Sequence, residues 1–145
     1  MSSLYVLFKV AEADYLLPAS DVLHMESFSG VTRVPGAPAY VAGLAQIRRR
    51  VVPVVDLRLR FGLPGAEPTL DSRIVVVQSA ERAVGLLADS AREVRSIAAD
   101  SFRPPPELIS AQSSGYVTSV AQEGSRLLML IDFRKVIGEE VPHGQ

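Results

Sequence analysis

The chain has no cysteine, no tryptophan and only two histidines among its 145 residues. The absence of cysteine excludes a disulfide framework, a thiolate metal site and a thiol nucleophile, and it is consistent with a reducing compartment. The two histidines, His24 and His143, are far apart in the sequence. Without cysteine they make a poor zinc set, so no metal site is predicted.

Long apolar runs are also missing. No stretch approaches the roughly 18 residues of a membrane-spanning helix, and the longest run, near residues 51–55, is interrupted by Pro53. The N-terminus lacks the basic and apolar regions of a secretory signal. We therefore expect a cytoplasmic protein that does not insert directly into a membrane.

Motifs for catalysis are lacking as well. The sequence has no G-x-S-x-G elbow, phosphate-binding loop or dinucleotide fingerprint, and its carboxylates are scattered and lie mostly at turns. His24 could be a partly exposed strand residue, a ligand or a base, but nothing in the local sequence places a nucleophile and an acid beside it. The sequence predicts neither an enzyme nor a cofactor.

Short strand patterns separated by glycine- and proline-rich turns dominate the chain, which favours an all-β barrel or sandwich. Residues 22–28 alternate, so Val22, His24 and Glu26 are predicted to share one strand face. The length fits one domain, residues 1–145. Residues 63–72, LPGAEPTLDS, suggest a boundary between two barrel subdomains, and the residues after Gly138 are expected to form a frayed tail.

Positive charge is concentrated in one segment. Residues 33–60 contain six arginines and one acid, a net +5, so that a chain of net charge −1 carries −6 elsewhere. The run Arg48-Arg49-Arg50 is predicted at a hairpin tip. It can be interpreted as a solvated tip, as a protein-docking site or as a nucleic-acid patch. Against nucleic acid, aromatic residues are few and do not alternate with these arginines.

Residues 43–58, GLAQIRRRVVPVVDLR, resemble the central signature of the CheW-like chemotaxis coupling proteins. In that family the stretch reads G-hydrophobic-x-N-L-R-G-x-hydrophobic-x-P-hydrophobic-hydrophobic-D-L-R. The resemblance continues, in order and at similar spacing, through residues 31–35, 84–94, 103–107 and 126–132. It therefore extends over nearly the whole chain.

The resemblance implies two SH3-like five-stranded β-barrels packed on a shared hydrophobic core, with short helices. It implies a non-catalytic adaptor that binds the regulatory domain of a CheA-type histidine kinase and the cytoplasmic tip of a methyl-accepting chemoreceptor. Other CheW-like domains are further partners in this family. The protein would be recruited to membrane-associated receptor arrays, and nucleic acid would not be a partner. Binding of nucleic acid through residues 48–50 remains the alternative function.

The same resemblance implies two sets of binding residues. The receptor set combines apolar anchors with a polar pin and its neighbours, and comprises Arg48, Val22, Val94, His24 and Glu26. The kinase set lies near the region that faces a barrel partner, and comprises Tyr40, Val41 and Gly43.

Three positions depart from the family pattern. Gln46 replaces the signature asparagine, and Arg49 replaces a glycine, so a left-handed backbone there would be strained. His24 occupies the position of a glutamate that often pairs with the signature arginine. Glu26, two residues on, is the expected substitute partner for Arg48. Two alternatives remain open: a coupling protein for an unusual receptor, or a paralogue that mainly contacts the kinase.

Overall fold

The computed structural model of the chain describes residues 1–107 and 115–138. Eleven strands within these residues form two sheets. In chain order the strands are β1 (Ser2–Val10), β2 (Ala13–Pro18), β3 (Val22–Ser27), β4 (Val41–Ile47), β5 (Arg50–Asp56), β6 (Arg73–Ser79), β7 (Arg82–Ala88), β8 (Ser90–Ala98), β9 (Phe102–Arg103), β10 (Val117–Glu123) and β11 (Arg126–Ile131).

The six-stranded sheet has the order β8-β1-β2-β11-β10-β9, and the five-stranded sheet has the order β3-β6-β7-β5-β4. The pairs β2–β11 and β5–β7 are parallel, and the other pairs are antiparallel. The chain therefore begins in one sheet, builds the whole of the other, and returns to finish the first.

Each sheet encloses an apolar interior, and a third cluster lies between the sheets. The six-stranded sheet is filled from five of its strands by Leu7, Leu16, Ile97, Ala121 and Leu128. The five-stranded sheet is filled by Ala45, Ile47, Val52, Val54, Ile74, Val76 and Ala83. Adjacent residues such as Phe8 and Val75 point the other way, because successive strand side chains alternate between faces, and they form the shared core.

Both sheets curl until distant strands meet, and an arginine–glutamate pair lies at each seam. In the six-stranded sheet Arg95 of β8 bonds to Glu123 of β10. In the five-stranded sheet Arg48, which follows β4, bonds to Glu26 of β3, although β3 and β4 are the two outer strands. The predicted fold class, two small barrels on a shared core, is confirmed.

Two short helices each begin at an aspartate cap. The side chain of Asp56 accepts hydrogen bonds from the backbone N–H groups that open α1 (Leu57–Arg60). Asp132 does the same for α2 (Phe133–Ile137), which ends at Gly138 with φ of 87°. A carboxylate at this position satisfies N–H groups that have no partner within the helix.

The chain passes between the sheets at the 3-10 turn Ala19–Asp21 and again at Asp89. Residues 63–72, where the sequence suggests a subdomain boundary, instead join α1 to β6, within the part of the chain that builds the five-stranded sheet. The glycine and proline residues there mark a surface connection. The predicted tail after Gly138 lies outside the described residues.

Pro53 occupies an inner strand, β5, although proline is expected only at an edge or a bulge. Its cross-strand partner Leu44 exchanges both backbone hydrogen bonds with Thr32 on the far side of β4, at 2.8 Å each. The pair Leu44–Pro53 is therefore one without mutual hydrogen bonds. Parallel pairing with β7 begins only at Val54, so the missing N–H of Pro53 interrupts neither ladder.

Candidate functional site

The tip of the β4–β5 hairpin consists of Arg48 and Arg49, two of the three arginines predicted there, and Arg50 already begins β5. Both have positive φ, 52° and 69°, the combination that a type I′ two-residue turn requires. Such turns favour asparagine and glycine because other residues pay a steric cost in this region. The strain expected at Arg49 is therefore present, and both arginine side chains project at an exposed corner.

Arg48 pairs with Glu26, the substitute partner that the sequence suggested. Its Nε donates to Oε2 of Glu26 at 2.6 Å, with the Arg48 side chain 65% exposed and that of Glu26 25% exposed. Nδ1 of His24 lies 2.8 Å from the same oxygen, but its geometry does not make a hydrogen bond. Three of the predicted receptor residues thus meet around one carboxylate oxygen.

Val22 lies on the opposite face of β3 from this cluster, which corrects the prediction that Val22, His24 and Glu26 share a face. The pairing of β3 with β6 shifts between Val22 and His24, so Leu23 is an extra residue in the ladder. A bulge of this kind changes which way the flanking side chains point. Val22 consequently packs half-buried against the shared core.

Val94 lies on β8, at the edge of the six-stranded sheet, and its side chain is 53% exposed. Leu4 of β1, 56% exposed, is a second apolar residue on this face. Leu4 pairs with Ser96 while Val94 pairs with Val6, so Leu4 and Val94 are diagonal neighbours. Sequence reasoning missed Leu4, because its alternation with Val6 predicts a buried residue.

Of the predicted kinase residues, Gly43 has a structural reason to be glycine. A Cβ added there would lie 2.3 Å from the carbonyl oxygen of Thr32, and φ is 149°. The strand pairing also shifts between Val41 and Gly43. Gly43 is buried and positions β4 against residues 32–33, whereas Val41 remains half-buried.

Tyr40 packs half-buried against the shared core and lies under the guanidinium of Arg60. The Arg60 Cζ is 4.2 Å from the centre of the Tyr40 ring and 5.2 Å from that of Tyr116. Nε of Arg60 donates to the carbonyl of Val136 in α2 at 2.5 Å. Arg60 therefore joins α1 to α2, a role with no local sequence signal because the two partners are distant in the chain.

Arg58 is likewise engaged inside the molecule. Its Nη2 lies 2.8 Å from Oδ2 of Asp89, which also accepts from the N–H of Ala11 at 2.7 Å. The hydrogen bond with Asp89 raises the pKa of the Arg58 guanidinium, although partial burial opposes it. Similarly, the hydrogen bond with Glu123 raises the pKa of Arg95.

The basic segment is consequently not one continuous face. Arg58 and Arg60 bind groups between the sheets, and Glu26 partly neutralises Arg48. The exposed positive charge is concentrated at the hairpin tip. Such a corner suits recognition of one acidic group better than contact with an extended phosphate backbone.

Within residues 1–107 and 115–138, no cluster of three or more histidine, cysteine or acidic side chains is placed to hold a metal ion. In the same ranges, no helix combines the length and apolar character needed to cross a membrane. The candidate site offers an exposed guanidinium, a shared carboxylate and exposed apolar side chains, which are groups suited to recognition of a partner.

Comparison with known families matches a CheW-like domain to residues 4–141. The chain belongs to the CheW-like domain family. Chemotaxis protein CheW of Bacillus subtilis is 30% identical over 135 residues, which span 93% of this chain and 86% of that protein. Chemotaxis protein CheW of Klebsiella aerogenes is 27% identical over 136 residues, spanning 94% and 82%. The resemblance in the signature residues is thereby confirmed.

A solved structure agrees with the whole architecture of this CheW-like chain. The scaffolding protein TtCheW of Thermoanaerobacter tengcongensis superimposes with a TM-score of 0.87 at 28% identity, covering 100% of this chain and 97% of that one. The two CheW-like chains therefore share one architecture over nearly their whole lengths.

Proposed function

We propose that this CheW-like chain is a non-catalytic adaptor that couples a chemoreceptor to a CheA-type histidine kinase. It binds the cytoplasmic tip of a methyl-accepting receptor and the regulatory domain of the kinase, and acts in the cytoplasm at membrane-associated receptor arrays. Family membership supports this role. The observation that carries the receptor half is the exposed Arg48, held by a single ion pair at the hairpin tip.

Arg48 is suited to pin an acidic residue of a receptor helix. Its guanidinium is 65% exposed and its bond to Glu26 is an exposed ion pair, which stabilises by only about 0.2–1 kcal/mol. A partner carboxylate can therefore take over the guanidinium at low cost. Arginine also binds a carboxylate through two N–H groups at once, which fixes register.

The apolar part of the receptor site is proposed at the edge of the six-stranded sheet. Val94 and Leu4 present adjacent exposed side chains there, and an amphipathic helix binds through a few such anchors. Val22 is the third apolar residue assigned to the receptor site by the family resemblance, and it packs half-buried against the shared core.

The kinase site is proposed along the start of β4. Tyr40 and Val41 are half-buried and can contact a partner, whereas buried Gly43 acts by letting β4 approach residues 32–33 closely. A second CheW-like domain would use the same surface, because the kinase regulatory domain is itself CheW-like.

Reversal of the charge at Arg48 tests the receptor half of the proposal. Arg48→Glu should reduce capture by an immobilised receptor-tip fragment by about tenfold or more, since a like charge replaces the pin. Arg49→Glu is the matched control, because it makes the same charge change in the same turn and should retain most of the capture. Equal loss in both variants, or no loss in Arg48→Glu, would remove Arg48 from the site.

The same samples test nucleic-acid binding. If residues 48–50 bound nucleic acid, a gel shift would appear at low salt and weaken steeply as salt is raised. We expect no shift, because Glu26 and the inward-facing Arg58 and Arg60 leave few cations for phosphates.

A further inference from the structure

A buried ring nitrogen lies next to the proposed receptor pin without a hydrogen bond. Among the described residues, Nδ1 of His24 is the buried side-chain polar atom that lacks one. It is 2.8 Å from Oε2 of Glu26, close enough to bond after a small rotation of the ring or the carboxylate. Buried polar atoms are nearly always satisfied, so this one requires an explanation.

The explanation lies in the partner of that oxygen. Oε2 of Glu26 is already held by Nε of Arg48 at 2.6 Å. Oε2 of Glu26 thus lies between Nδ1 of His24 and Nε of Arg48. The two side chains differ in exposure, because that of His24 is 22% exposed and that of Arg48 is 65% exposed. Arg48 can leave into solvent or to a partner, whereas His24 is fixed in the strand.

The charged groups around His24 are few. Glu26 lies on the same strand, and Arg48 comes from the β4–β5 turn. On β6, which packs beside β3, the residue opposite His24 is the apolar Val76. The nearest charged residue of that strand is Arg73, which donates to backbone carbonyls of the preceding turn. The charge on His24 therefore acts mainly on the Glu26–Arg48 pair.

We infer that His24 is a positioning residue which, on protonation, takes Glu26 from Arg48 and frees Arg48 for the acidic side chain of its partner. Histidine changes charge between about pH 5 and pH 8, which makes it the side chain suited to this exchange. The partner half of this inference rests on the proposed function, whereas the exchange within the free protein does not.

The direction of the effect follows from charge. With His24 neutral, release of Arg48 leaves the Glu26 carboxylate without a cation, so release is opposed. With His24 protonated, Glu26 keeps a cation when Arg48 leaves, and the two cations no longer crowd one oxygen. Receptor capture should therefore tighten as pH falls, and by linkage the complex should take up a proton.

Nuclear magnetic resonance on the free protein tests the exchange directly. The protection of the Arg48 Nε–H against solvent exchange is followed from about pH 8 to about pH 6, with the exposed Arg50 Nε–H as internal reference. We expect protection of Arg48 to fall as His24 titrates, and to stay constant in His24→Gln, which cannot gain charge. Constant Arg48 protection while His24 titrates, or a His24 that does not titrate in this range, would overturn the inference.

Capture by the receptor-tip fragment tests the consequence. Wild-type protein should bind up to about fivefold more tightly at the lower pH, the factor matching the upper range of exposed ion pairs. His24→Gln and Glu26→Gln should each lose this pH dependence. Capture that is Arg48-dependent but equally tight at both pH values would overturn the inference and leave the adaptor function standing. Absent capture at both pH values would count against the adaptor function, and the exchange would then be decided by the free protein alone.

Discussion

Two residues at the hairpin tip combine exposure to solvent with backbone strain. Arg48 and Arg49 both adopt left-handed conformations that glycine would adopt more easily. Strain at exposed, functional positions persists when the surrounding structure determines the conformation. Here the paired strands β4 and β5 do so, because Ile47 and Arg50 close the ladder directly beside the turn.

Replacement of Arg49 by glycine should therefore stabilise the protein. Relief of the left-handed strain outweighs the greater flexibility of the unfolded chain, for a net gain of about 0.5–1 kcal/mol in the free energy of unfolding. Denaturant unfolding measures the change. Arg50→Gly, in the adjoining strand, is the control and should lose about 0.5–1 kcal/mol. A loss of stability in Arg49→Gly would show that the turn carries no strain.

Much of the residue-level site was predictable from the sequence. The strand pattern placed Arg48 at a hairpin tip, and the two-residue period of a strand pointed to Glu26 as its partner. Val22 was assigned to the wrong face because the bulge at Leu23 depends on how β3 pairs with β6, a non-local property. Leu4 was missed because the alternation of β1 predicts a buried residue there, whereas the shared core includes Phe8 and Val10 of β1 but does not extend to Leu4.

At the scale of elements, close backbone contacts and long-range clamps fix the relative positions of strands and helices. The helix caps Asp56 and Asp132 act through local interactions, which can be recognised from neighbouring residues in the sequence. The clamp of Arg60 on α2 cannot be recognised in this way, because its acceptor Val136 is distant in the chain. The reason for glycine at position 43 is also non-local, because a Cβ there would collide with the carbonyl oxygen of Thr32 beside the edge of β4.

Substitution of Gly43 by alanine measures this close approach. The new Cβ would meet the Thr32 carbonyl at 2.3 Å, so β4 must move, and we expect a loss of about 2–3 kcal/mol in the free energy of unfolding. Gly36→Ala is the matched control: its φ of 82° is also positive, but nothing lies within 4 Å of the added Cβ. It should lose only about 1 kcal/mol. Equal losses of stability in Gly43→Ala and Gly36→Ala would mean that β4 and residue 32 move apart at no cost in free energy.

At the scale of the whole molecule, the two barrels share one core but present separate surfaces. Phe61, which follows α1, packs between Tyr15 and Tyr116 at ring-centre distances of 5.1 and 5.7 Å. Because Tyr15 lies in β2 and Tyr116 precedes β10, this contact joins the segment that follows β5 and α1 to the six-stranded sheet. The proposed receptor residues are divided between β8 of the six-stranded sheet and the tip of the β4–β5 hairpin, whereas the proposed kinase residues lie at the other end of β4.

The architecture was predictable as two barrels on a shared core, but its chain path was not. The proline- and glycine-rich residues 63–72 look like a boundary, because local composition cannot distinguish a surface loop from a link between subdomains. The actual crossings, Ala19–Asp21 and Asp89, are short and carry no such composition. They follow from the pairing of β1 and β2 with strands that come more than 70 residues later.

Bridging is the property that an adaptor must have, and a three-component capture measures it. A receptor-tip fragment is immobilised and a CheA-type regulatory domain is added, with and without this chain. The account predicts that the kinase domain is retained only when the chain is present, and that Arg48→Glu abolishes its retention while still binding the kinase domain in solution. Equal retention of the kinase domain without the chain, or binding of each partner only in the absence of the other, would contradict it.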